Sequence, residues 1–119
     1  MANRNGRIGT AWESEVVREL IAHGWPYAER RRLQGRFDRG DIAGIPGIVI
    51  EAKAAKSHEL SGWLNEAHEE RDNDNADHGV VWFKRRGKAK AADGFVLMDG
   101  HTFMALLTAA GYGGEPRAE

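Results

Sequence analysis

Six residues, Ile48-Val49-Ile50-Glu51-Ala52-Lys53, constrain this 119-residue chain more than any other stretch. Three consecutive β-branched residues lose rotamer freedom in a helix and suit a pleated strand. Their continuity favours a strand buried inside a sheet. A turn at Gly44, Pro46 and Gly47 precedes them, and the apolar stretch Ile42 to Ile45 precedes the turn. These pieces predict a hairpin whose second strand lies deep in the sheet.

Helical spacing appears on either side. Trp12, Val16, Val17, Leu20 and Ile21 recur every three or four residues, which predicts a helix over 10–23. Thr10 is positioned as its N-cap, with Glu13 as the capping-box partner, and Gly24 as its terminator. A first strand is expected over 27–33. A second helix is expected over 58–72, with Leu60, Trp63, Leu64 and Ala67 on one face and acids on the other. Val80 to Phe83 and Phe95 to Met98 read as further strands, separated by a basic loop over 86–94. A last helix is expected over 101–110. The order is α-β-β-β-α-β-β-α. It implies a mixed α/β (α+β) architecture, a central mixed sheet flanked by helices. One domain over 1–119 is expected, with its core at about 8–111 and a loose C-terminal tail.

Composition narrows the chemistry. Without cysteine there are no disulfides, thiolate metal sites or cysteine nucleophiles. No apolar run approaches the roughly 20 residues of a membrane span, and the N-terminus lacks a signal-peptide core. A cytoplasmic protein is therefore expected. The net charge of -1 hides segregation. Arg30, Arg31, Arg32, Arg36 and Arg39 form one basic segment, and Lys84, Arg85, Arg86, Lys88 and Lys90 another. Acids fill the interval between them. Such a layout suits a polyanion-binding face, and equally two solvated loops and a solvated helix.

Glu51 and Lys53 are two apart on the strand, so both leave the same face, with Val49, while Ile50 and Ala52 face the other way. Asp41, on the paired strand, can lie beside Glu51. Adjacent carboxylates repel, and a divalent cation relieves the repulsion. Mg²⁺ needs one or two carboxylates plus water and phosphate oxygens. A nearby ammonium can orient or help deprotonate a water and stabilise charge on phosphate. Together these groups suit metal-assisted phosphodiester hydrolysis. Taken alone, Glu51 and Lys53 would also make an ordinary surface salt bridge.

Asp41, Glu51 and Lys53 resemble the PD-(D/E)XK nuclease signature, with Gly40 where that pattern has proline. Gly9-Thr10-Ala11-Trp12-Glu13 resembles the first-helix motif of the archaeal-type and phage Holliday junction resolvases. The resemblance runs from about residue 8 to residue 99, and includes the segment Trp82 to Gly87. It implies a restriction-endonuclease-like fold and a Mg²⁺-dependent endonuclease, with Mn²⁺ as substitute. The resolvases act as homodimers that cut two strands of branched DNA in a bacterial or phage context. Asp41, Glu51, the Ala52 carbonyl and Glu13 would hold the metal. Glu13 has the capping box as its alternative explanation, and Glu15 should point elsewhere on the helix. The loop after the first strand reads Leu33-Gln34-Gly35, where those resolvases often carry a serine before the glycine.

Candidate phosphate contacts are Arg30, Arg31, Arg32, Arg36, Arg39, Lys56, Lys84, Arg85, Arg86 and Lys88. For Lys56 a purely solvated role is as good. Asp38 reads as a loop residue. His58, His68 and His78 share no helical face, so zinc is not expected. No Gly-rich phosphate loop is present, so no nucleotide cofactor is expected. Trp63 reads as core, and of Trp82 and Phe83 one reads as core and the other as covered by a helix or a second subunit. Two other readings remain: a nuclease of this fold without junction preference, for repair or restriction, and a non-catalytic DNA-binding module.

Overall fold

The computed structural model describes residues 4–31 and 39–114, with side chains from residue 8 onward. Among them, three α-helices, α1 (Arg4–Ala22), α2 (Leu60–Asn73) and α3 (Gly100–Ala109), accompany five strands. The strands are β1 (Glu29–Arg30), β2 (Ile42–Ala43), β3 (Ile48–Lys53), β4 (His78–Phe83) and β5 (Phe95–Leu97). Among the described residues the element order is the expected one. The sheet is mixed and keeps sequence order, β1-β2-β3-β4-β5. Among the described residues only the β3–β4 pair is parallel, in register Ile48 with His78 through Lys53 with Phe83. A parallel pair needs a long crossover, which α2 supplies.

β3 and β4 are the inner strands covered by a helix on each face. On one side Trp12, Val16 and Leu20 of α1 pack on Ile42, Ile50 and Val80. On the other, Trp63 and Ala67 of α2 pack on Val81 and Phe83. This two-sided burial is why β3 reads as an unbroken apolar run. Both tryptophan rings on the α1 side are tethered. The Trp12 indole N–H donates to the Trp82 carbonyl at 3.0 Å, and the Trp82 indole N–H to the Ala91 carbonyl at 3.0 Å. Trp82 is thus covered by this chain's own helix and loop, and Phe83 is core.

Several boundaries differ from expectation. α1 begins at Arg4, six residues before the expected start, and Ile8 in this added stretch stays exposed outside the core. Thr10 lies inside the helix and is exposed, so it is no N-cap and Glu13 is no capping-box residue. The end is as expected: Trp25 N–H bonds the Leu20 carbonyl and Gly24 N–H the Ile21 carbonyl, a Schellman closure. The strand expected over 27–33 shortens to β1, because the Ala28 amide is taken by the Trp25 carbonyl in the turn that leaves α1. Residues 32 and 33 lie outside the described residues. β4 starts at His78, two residues early, because its ladder runs along β3 from Ile48 onward. α3 starts at Gly100, where the Asp99 carboxylate accepts from the Thr102 amide at 2.8 Å.

Two glycines set the approach of Asp41 and of α2 to β3 and β4. At Gly40, φ is +95°, and a Cβ would stand 2.6 Å from Val49 Cγ1. This left-handed turn, which L side chains avoid, brings the chain onto β3 just before Asp41. At Gly79 on β4, a Cβ would stand 2.5 Å from the Ala67 carbonyl oxygen. Its absence lets α2 settle close to the sheet. No helix among the described residues is long and apolar enough to cross a membrane.

Candidate metal centre

Asp41 is fixed by backbone on both sides. Its amide donates to the Ile50 carbonyl at 3.1 Å, and its carbonyl accepts from the Arg31 amide at 2.7 Å. Its carboxylate Oδ2 accepts from the Ala52 amide at 2.9 Å. The acid is therefore held against β3, the strand that carries Glu51.

Glu51 is only 4% exposed. Its register partner is Val81 and that of Lys53 is Phe83, both in the α2 core, so Glu51 and Lys53 share the α2 face as expected. Glu51 Oε2 is buried without a hydrogen-bond donor. Burial pushes the carboxyl up to about 12, assisted by hydrogen bonding and negative charge from Asp41 and then Glu70. This is a carboxylate crowded by carboxylates.

α2 brings two further acids that sequence pattern alone assigns to a solvated face. One oxygen each from Glu51, Glu66 and Glu70 lies within 4.8 Å of the other two. Glu70 is 1% exposed. Its position was legible in the spacing: Trp63, Ala67 and Glu70 succeed one another at four and three, so Glu70 continues the buried stripe. Glu66 accepts from Lys53 Nζ at 2.9 Å, whereas Glu51 Oε1 is 4.0 Å from the same nitrogen. Burial works to lower the Lys53 pKa. The Glu66 hydrogen bond and the charges of Glu51, Glu66 and Asp41 outweigh it and hold the pKa above its ordinary value. Lys53 is a firm cation in this setting, not a proton acceptor.

Glu13 reaches the same region from α1. Burial raises its pKa, as does the charge of Asp41, against the lowering effect of Arg30. Arg30 Nε donates to Glu13 Oε1 at 3.3 Å. With the capping box gone, its placement beside Asp41 is what the structure offers for it. Glu15 does point elsewhere, accepting from the Ala91 amide at 2.8 Å.

The cations sort into two groups. Arg31 is engaged by Asp74 through both terminal nitrogens, at 3.1 and 3.3 Å, and joins the edge of the sheet to the end of α2. Arg30 is engaged by Glu13. Arg85 lies over the Phe95 ring, 5.6 Å from its centroid. Lys56, Lys84 and Arg86 converge on one cleft, and Lys88 stands exposed nearby on the same loop. Arg39 is half-buried beside Gly40. Arg32 and Arg36, with Asp38 and the Leu33-Gln34-Gly35 loop, lie outside the described residues. No family model matches the chain, and comparison with curated proteins and with solved structures gives no match.

Proposed function

We propose that this chain is a metal-dependent DNA endonuclease of the PD-(D/E)XK type, selective for branched DNA as Holliday junction resolvases are. One observation carries the reading: Glu51 is buried against Asp41 and Glu70, with Lys53 on the same face of β3. A carboxyl group so placed is costly unless a cation is its working partner. The donors are all oxygen, which suits Mg²⁺, with Mn²⁺ as substitute. The donorless Oε2 of Glu51 fits such an ion. Asp41, Glu51 and the Ala52 carbonyl would hold it, Glu13 flanking from α1 and Glu66 and Glu70 from α2. The element order and the parallel β3–α2–β4 crossover support a restriction-endonuclease-like reading of the sheet.

When bound, Mg²⁺ would polarise the scissile phosphate and acidify a water. The chain's own groups do the rest. Asp41 and Glu51 orient the oxygen cage through their backbone-fixed positions. Lys53, held cationic by its neighbours, stabilises the charge that develops on phosphate oxygens. Cations outside the acidic cluster grip neighbouring phosphates and set the strand's direction. Cutting two strands symmetrically takes two such sites, which a C₂ homodimer supplies. Sedimentation in the presence and absence of DNA checks this, and a monomer under both conditions counts against it.

The decisive assay incubates the protein with four-way junctions, flaps, mismatches and linear duplex in Mg²⁺. Junction cleavage well above linear cleavage is expected, and its loss in the Asp41→Ala/Glu51→Ala double variant. Cleavage that survives in the double variant overturns the site. Equal cutting of junction and linear duplex overturns the branch selectivity.

A further inference from the structure

Past the ends of β3 and β4 lies a cleft of about 420 Å³, lined by Ile8, Ala54, Ala55, Lys56, His58, Lys84, Arg86 and Gly87. Its size falls in the small-ligand range of roughly 300–1,000 Å³. Its chemistry is lopsided. Three cations face it, and none makes an ion pair with a carboxylate among the described residues. Arg30, Arg31 and Lys53 nearby are all paired with acids. Like charges gathered without counter-charge favour an anionic occupant. The remaining wall is apolar, from Ile8 of α1 and from Ala54 and Ala55. His58 also lines it, its ring set against Phe83 at 5.0 Å and Trp63 at 5.8 Å.

We propose that this cleft is a subsite for one unpaired nucleotide, its phosphate held by Lys56, Lys84 and Arg86 and its base against the apolar wall. The inference deepens the nuclease reading and takes only the polymer class from it. The Lys84 amide donates to the Lys53 carbonyl at 2.9 Å, so the cleft adjoins the strand end that carries the acidic site. A base stacked and paired in a duplex cannot enter a concave site; a splayed base can. Flaps carry unpaired nucleotides, and base pairs at a four-way branch point lack continuous stacking and open more easily than those inside a duplex, so occupancy here would select branched over linear substrate.

The test runs on the full chain in EDTA, where no strand is cut, with amide NMR spectra and fluorescence anisotropy. The probes are inorganic phosphate, deoxyadenosine monophosphate, a labelled single-stranded pentanucleotide and the same sequence in a blunt duplex. The mononucleotide should shift the Ala55, Lys56, Lys84 and Gly87 amides more than phosphate does. The single strand should bind about tenfold more tightly than the duplex, and Lys84→Ala and Arg86→Ala should each weaken it about tenfold. Circular dichroism checks that both loop variants stay folded. Binding without Mg²⁺-dependent cleavage would sink the hydrolase reading and leave the subsite standing. Equal response to phosphate and mononucleotide, equal affinity for duplex, or unchanged affinity in both variants overturns the subsite.

Discussion

Replacing Glu51 with glutamine should make the metal-free protein more stable while weakening its response to metal. In the folded chain the Glu51 carboxyl is pushed from 4.5 up to about 12, so near neutral pH it is protonated. The unfolded chain ionises the same group around 4.5. The folded state therefore binds the extra proton, and stability falls as pH rises above 4.5. The cost depends on the working pH rather than on how high the folded value lies. From pH 4.5 to pH 7 it amounts to about 3 kcal/mol. Glutamine carries no such cost, and its amide can donate to Asp41 or Glu70 as the shared proton did. A gain of about 2–3 kcal/mol, or roughly 10 °C in Tm, is expected at pH 7. The assay is thermal unfolding in EDTA from pH 5 to pH 8, repeated in Mg²⁺ or Mn²⁺. Wild type should lose Tm with rising pH in EDTA and regain it with metal, most at pH 8. Glu51→Gln should respond less to both. A variant no more stable than wild type at pH 8 in EDTA would refute the reasoning.

Lys53→Met should keep most metal-induced stabilisation and lose cleavage by about 100-fold or more, because the ammonium acts on developing charge rather than on the ion; single-turnover rates beside metal titrations separate the two. Gly79→Ala should destabilise by about 2 kcal/mol in urea unfolding, since its Cβ meets the Ala67 carbonyl oxygen at 2.5 Å. The same change, by lifting α2, should also weaken metal stabilisation. Trp12→Phe removes the indole donor from the Trp82 carbonyl and should cost about 1–2 kcal/mol in the same assay, without changing the metal response.

A sequence discloses only as much structure as its patterns can encode. β3 was legible because burial on both faces leaves a continuous β-branched run. The alternation within it put Glu51 and Lys53 together without reference to any partner. Asp41 came from the hairpin turn. Glu70 was disclosed only by its spacing after Trp63 and Ala67, because its residue type, an acid in a run of acids, reads as solvated. Arg31 was likewise misleading. Within a basic run it reads as a free cation, yet its partner is Asp74, 43 residues away. The start of α1 was obscured by Thr10 and Glu13, whose spacing imitates a cap inside a helix that had already begun.

The crossover from β3 through α2 to β4 also has a consequence in time. Glu51 meets Glu66 and Glu70 only after α2 has docked on the sheet, and the parallel pairing that holds it there joins residues 30 apart, as with Ile48 and His78. Contacts of such separation slow the folding of small domains. The three carboxylates come within 4.8 Å of one another only once α2 is fully packed, so their repulsion acts mainly on the folded side of the barrier. A cation that relieves it should leave the refolding limb of the chevron almost unchanged and slow the unfolding limb. The metal would then set how long a folded molecule lasts, not how quickly it forms.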